Sequence, residues 1–158
     1  ETKFEYDRKG HVTKKVTPNE VTELAYDDRH GKVTKVNKFS KDNPKNVTWS
    51  VFTYDDRANL TIAKNSEKKG VQLFYDQGGR ITSMIDQDKR TIKFKYNEHS
   101  KPVEITDPAL GSITVQYTNS GEVQKVDSTA GRKIALQVTS AFQNLLDIIR
   151  PAGVTLNF

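Results

Sequence analysis

Tyr54-Asp55-Asp56-Arg57-Ala58-Asn59-Leu60 and, 21 residues on, Tyr75-Asp76-Gln77-Gly78-Gly79-Arg80-Ile81 decide the fold of this 158-residue chain. Both stretches open on Tyr-Asp and return to an aliphatic residue six positions after the Tyr. The Asp carboxylate can accept backbone N–H groups two residues on, and a small residue four after the Tyr can take the positive φ that closes a tight turn. Each stretch therefore reads as the turn of a β-hairpin.

Working outward, the phrase recurs at Tyr6, Tyr26, Tyr54, Tyr75, Tyr96 and Tyr117, with spacings of 20, 28, 21, 21 and 21. Two residues before each Tyr stands Phe4, Leu24, Phe52, Leu73, Phe94 or Val115. Polar residues such as Glu5, Glu23, Lys93, Lys95 and Gln116 alternate with them, which is the period of a strand with one wet face. The turn position holds Gly10, Gly79 and Gly121, Gly31 one residue late, and Ala58 and Ser100 as substitutes. The chain returns through Leu60 with Ala63, Ile81 with Met84 and Val123 with Val126. A step of three between inward residues implies a β-bulge.

A second turn ends each repeat, at 107–111, 127–131 and 150–153, where Asp, Pro and Gly cluster. The expected fold is all-β: repetitive antiparallel hairpins forming one long curved sheet, a single array over residues 1–158. About seven units fit, the last degenerate, since 21 residues past Tyr117 lies Val138. Residues 38–45 read as a basic Asn-Pro loop inserted between strands. With no initiator Met, the chain reads as a fragment of a longer protein.

Composition narrows the function classes. Apolar residues make up 34% and charged ones 28%, yet β-branched and aromatic residues recur throughout, which fits a folded strand-rich chain rather than a disordered one. No apolar run approaches the roughly 18 residues of a spanning helix, so no membrane span is expected in this segment. The net charge of +5 is scattered among acids instead of gathered on one element, so nucleic acid is not an expected partner. The absence of Cys removes disulfides and sulfur-ligated metals.

No nucleophile elbow, P-loop or dinucleotide glycine pattern occurs, and no catalytic, cofactor-binding or metal-binding residue is assigned. His11, His30 and His99 fall in separate turns and are expected to face solvent. Asp27-Asp28 and Asp55-Asp56 lack the Gly and distal Glu of a calcium loop and are read as turn chemistry.

The Tyr-Asp phrases at 54–60 and 75–81, with their register kept across the chain, resemble the YD repeat, also called the RHS repeat. Members of that family include bacterial polymorphic toxins, whose repeats wrap into a hollow β-shell around a toxic domain, and animal teneurins. The resemblance implies a non-catalytic structural wall segment, for encapsulation or scaffolding, in a large protein at the bacterial surface, in the periplasm or secreted. Its partners would be another protein, an encapsulated domain or a second copy. An adhesion module binding a partner protein or glycan through the outer face is the alternative. The self-cleaving C-terminal signature of the toxins has no counterpart here. Choline-binding repeats are excluded because they need Trp in every unit and this chain has one.

The six repeat-defining Tyr residues are expected to line the apolar face, with their hydroxyls at its rim. Trp49, Val51 and Phe74 fall on the opposite parity, among Lys, Glu and Thr, and are the candidate partner-binding residues. An apolar sheet face with no second layer needs cover, either by curling with the last unit as a plug or by stacking two copies.

Overall fold

The computed structural model describes residues 1–153. Twelve strands follow the chain in the order β1 to β12 without a crossover, each antiparallel to the next where pairing is described. They are β1 Lys3–Tyr6, β2 Val12–Val16, β3 Glu20–Tyr26, β4 Val33–Ser40, β5 Asn43–Tyr54 and β6 Leu60–Asn65, then β7 Gly70–Tyr75, β8 Ile81–Asp86, β9 Thr91–Tyr96, β10 Pro102–Asp107, β11 Gly111–Tyr117 and β12 Val123–Ser128. One helix, α1, spans Gly131–Ala152. Every odd-numbered strand ends on one of the six repeat Tyr residues, as the sequence pattern predicts.

The chain forms two compact units. The first comprises residues 1–70 with the helix from Asp147, and the second comprises residues 71–146. In the first, Val36, Phe52, Leu60 and Ala63 are buried, as are Ile148, Ile149 and Ala152 of α1. In the second, Val71, Leu73, Ile81, Met84 and Ile92 are buried together with Ile134, Ala141 and Leu145 of α1. The Phe94 ring meets Phe142 edge-on at 6.5 Å. Burial fades at the outermost strands, where Phe4 and Val123 are exposed.

The bulges fall where the step of three places them. Thr53 pairs with Ile62 but Tyr54 pairs with Leu60, so Thr61 is extra. The same shift occurs between Phe74 and Tyr75 and between Gln116 and Tyr117. The extra residue turns both Leu60 and Ala63 to one face, which strict alternation forbids.

Two expectations are corrected. Residues 131–152, read as a degenerate seventh hairpin, are helical; residues 154–158 of that unit lie outside the described residues. The buried positions 134, 141, 145, 148, 149 and 152 fall on a helical face, and the turn-like clusters at 127–131 and 150–153 are the two helix ends. Gly153, at φ 70, donates its N–H to the Arg150 carbonyl and terminates the last turn. Gly131 lies so close to the Ser128 hydroxyl that a Cβ would collide with it. The second layer, which a single sheet lacked, is thus supplied by the chain itself.

The 38–45 segment, expected as a loop, is instead part of a long hairpin. Ser40 pairs with Asn43 around a two-residue turn, and the surplus residues of β5 before Thr48 form a wide bulge that contains Pro44. Proline fits there because it has no N–H to give a ladder.

Leu73 is 1% exposed and its neighbour Phe74 is 43% exposed. Leu73→Ala is therefore expected to cost about 2–5 kcal/mol in urea denaturation, and Phe74→Ala close to nothing. Equal costs would contradict this assignment of faces.

Candidate functional site

Five of the six repeat turns share one construction, and the turn after Tyr26 is one residue longer, its Asp27 carboxylate accepting the N–H groups of His30 and Lys32. The Asp76 N–H donates to the Arg80 carbonyl, the Gly79 N–H donates to the Asp76 carbonyl, and the Asp76 carboxylate accepts the N–H groups of Gly78 and Arg80 at 2.9 and 3.0 Å. Asp7 and Asp55 repeat this, Asn97 does so through its amide oxygen, and Thr118 keeps one of the two bonds. The closing residue has positive φ whether it is Gly79, Ala58 or Ser100.

These bonds set the carboxyl chemistry. The Arg80 N–H, helped by the Arg80 side chain and the Gly78 N–H, holds the Asp76 carboxyl below its ordinary range against the effect of burial. Burial pushes Asp55 up, but its bonds from Asn59 and Arg57 outweigh this and leave it lowered.

The turns also join one repeat to the next. The Tyr26 hydroxyl donates to the Val12 carbonyl at 2.7 Å, Tyr54 to Val33 at 2.8 Å, Tyr96 to Ile81 at 2.6 Å and Tyr117 to Pro102 at 2.6 Å. Each acceptor opens the return strand of the preceding hairpin, beside the bulge. Burial raises the Tyr54 hydroxyl to about 12, aided by the Asp27 charge.

The ring of each of these Tyr residues is covered from the preceding turn. His11 stacks on Tyr26 at 4.5 Å, while Lys32, Arg80 and Lys101 lie 5.7, 4.9 and 5.3 Å from the rings of Tyr54, Tyr96 and Tyr117. Arg80 also holds Asp76 at 2.7 Å and donates to the Asn97 carbonyl at 3.2 Å, tying two successive turns. Sequence reasoning missed these covering residues. The signal was a cation or ring five positions after the Tyr, or six after Tyr26.

The histidines depart from their expected exposure. His11 is half-buried and bonded to Asp7 at 3.1 Å, and His30 is half-buried with its Nε2 enclosed and unpartnered. His99 alone is exposed. Among the described residues no three His, Asp or Glu side chains converge as a metal would need.

Trp49 is 38% exposed and Val51 half-buried, both in the first unit; the exposed Phe74 belongs to the second. Trp49 and Ser66 are joined by two bonds, the Trp49 N–H to the Ser66 hydroxyl at 3.1 Å and the Ser66 N–H to the Trp49 carbonyl at 2.9 Å. The register Val16–Val21–Phe39 places three more apolar residues on the Trp49 face, and Val21 is buried. These residues were missed because they belong to different repeats and become neighbours only through cross-strand pairing. Val21 was nevertheless visible in one respect: like Trp49, it stands five residues before its Tyr.

The family model described as Teneurin YD-shell matches residues 40–156. No curated protein matches the chain. Among solved structures, a crystal structure of TcdB2-TccC3-Cdc42 aligns with a TM-score of 0.66 at 13% identity over 79% of this chain and 7% of that one. A Photorhabdus luminescens Tc holotoxin pore, carrying a TccC3 mutation, aligns at 0.64 and 14% identity over 79% and 7%. These likenesses establish a shared fold, and the chain spans about 7% of the length of the structures it matches.

Two outcomes test the repeat joint. Tyr54→Phe is expected to cost about 1 kcal/mol near neutral pH, the net worth of one hydrogen bond. The folded hydroxyl ionises at about 12, above its unfolded value, so the bond's stabilisation is complete below about pH 10 and lost as pH rises toward 12. The variant should lack that alkaline loss when urea stability is followed against pH. Asp76→Asn should keep the turn, as Asn97 does, while losing part of the acid sensitivity. A carboxyl held low contributes fully above the ordinary carboxylate range, and the contribution disappears as pH falls through the lowered value. An unchanged acid profile in Asp76→Asn would sink this assignment.

Proposed function

The chain belongs to the teneurin YD-shell family, and from that premise we propose that it is a non-catalytic wall segment, enclosing or scaffolding a protein domain within a larger secreted or surface-exposed assembly. The repeat joint carries this reading. The Tyr hydroxyl and the covering cation fasten one hairpin to the next, and the Asp carboxylate holds that cation in its own turn. A joint that repeats can be extended by whole units without altering any contact, because each unit meets only its neighbours. A wall needs that property, whereas a catalytic centre needs a few groups converging once.

The enclosed partner is the finer part of the proposal. It draws on the fold shared with structures of Tc toxin complexes, over the small fraction of their length that this chain spans. A wall must keep its own apolar face satisfied, and the helix residues buried in each unit do so here. Among the described residues no helix is long and apolar enough to cross a membrane.

Protease protection tests enclosure. In a protein carrying this segment within a full repeat array, a domain inside the wall is expected to resist a protease that cuts the same domain expressed alone. Cleavage at equal rates in the two settings would overturn enclosure.

A further inference from the structure

We propose that the outer face of the first unit docks an acidic protein segment, with Trp49 as the apolar anchor and Lys35, Lys45 and Lys64 as the groups that meet its carboxylates. This goes beyond the wall reading and does not depend on it. Lys35 pairs in register with Val51, and Val51 pairs with Lys64, so two lysines flank one valine across three adjacent strands. At strand spacing their backbones stand roughly 10 Å apart. Trp49 is two residues along the same strand from Val51 and opposite Asn37. Lys45 is exposed four residues before Trp49, and Val47 between them is 39% exposed.

Three features make this surface more than a scatter of side chains. The backbone of Trp49 is closed on Ser66 by both of its polar groups, so the exposed indole sits on a fixed strand. None of the three lysines forms an ion pair among the described residues. Glu23, the carboxylate two strands away in the Trp49 row, lies opposite Lys14 on its other side. Glu67, which borders the recess at Trp49, pairs with none of the three lysines, so the face offers unpaired positive charge beside an apolar anchor, and its complement is negative charge around an apolar side chain.

The surrounding chemistry favours protein over polysaccharide. Register places the apolar Val51 and Phe39 on the Trp49 face, with Asn37 opposite Trp49. An apolar centre with an aromatic anchor and a charged rim is how protein interfaces are built. The charged rim governs the rate and selectivity of encounter, so binding should weaken with salt.

Trp49 is the single tryptophan of the chain, so intrinsic fluorescence reads this site directly. The full chain is titrated with a short synthetic peptide of alternating Glu and Leu, with its Gln-Leu counterpart, and with heparin. Expected is a saturable change in Trp49 emission with the Glu-Leu peptide alone, weakened by added salt. The doubly substituted Lys35→Glu, Lys64→Glu protein, its fold checked by circular dichroism, should bind roughly tenfold more weakly or worse. Phe74→Ala should bind as the parent does. No response to the Glu-Leu peptide, equal affinity in the lysine variant, or equal binding of the Gln-Leu peptide overturns the proposal. A response to heparin alone also overturns it, in favour of an anionic polysaccharide. A shift that depends on protein concentration without peptide overturns it in favour of self-association.

Discussion

A tyrosine hydroxyl bonded to the first carbonyl of the preceding return strand is the constraint on which the rest of this structure depends. The bulge beside that carbonyl interrupts the ladder, so the oxygen is available to a side chain from the next repeat. The same bulge sends two residues three apart to the apolar face. The Asp turn then fixes the residue that covers the next Tyr ring. One irregularity in the pairing thus sets the core, the joint and the spacing of the units together. Each bond is modest, about 1 kcal/mol for the hydroxyl and about 0.5–1 kcal/mol for an exposed cation over a ring. Their repetition, rather than any single one, holds the array.

That economy has a cost on the apolar face. A meander of hairpins joined edge to edge buries nothing against its own broad side, and a sheet with one apolar face is stable only as part of a second layer. Here α1 supplies it. In the first unit Lys69 reaches Asp147 of the helix at 2.6 Å, and in the second the Phe142 ring meets Phe94. The repeats determine where the apolar rows lie, while the helix determines that they are covered.

What was legible in the sequence was whatever the repeat enforces locally. Tyr, Asp and the turn residue lie within four positions of one another, so Ala58 and Ser100 could be assigned the left-handed conformation from register alone, and both adopt it. The bulge followed from Leu60 and Ala63. The helix was not legible through the repeat because a period of 21 residues still finds an apolar residue at Val138; the closer spacing of Ala141, Leu145, Ile148 and Ala152 was the stronger signal. Pro44 pointed to a loop, yet a bulge tolerates proline equally well. Phe39 became a neighbour of Val21 only once β3 and β4 were paired.

The parts that obey the repeat and the parts that depart from it divide the molecule by role. Where a side chain follows the pattern, its polar atoms are already engaged within its own turn or with a neighbouring unit, and little is left over for another molecule. Departures carry no such obligation. Val21 and Trp49 stand at the same offset before their Tyr residues, where Gly70 and Thr91 stand in later repeats, and the long hairpin of β4 and β5 also lies in the first unit. Val21 is buried, but the exposed Trp49 weakens solubility without strengthening the joint, so its place among unpaired lysines on one face has no explanation in the architecture. In a fold whose regular positions are used for cohesion, specificity has to be written at the irregular ones.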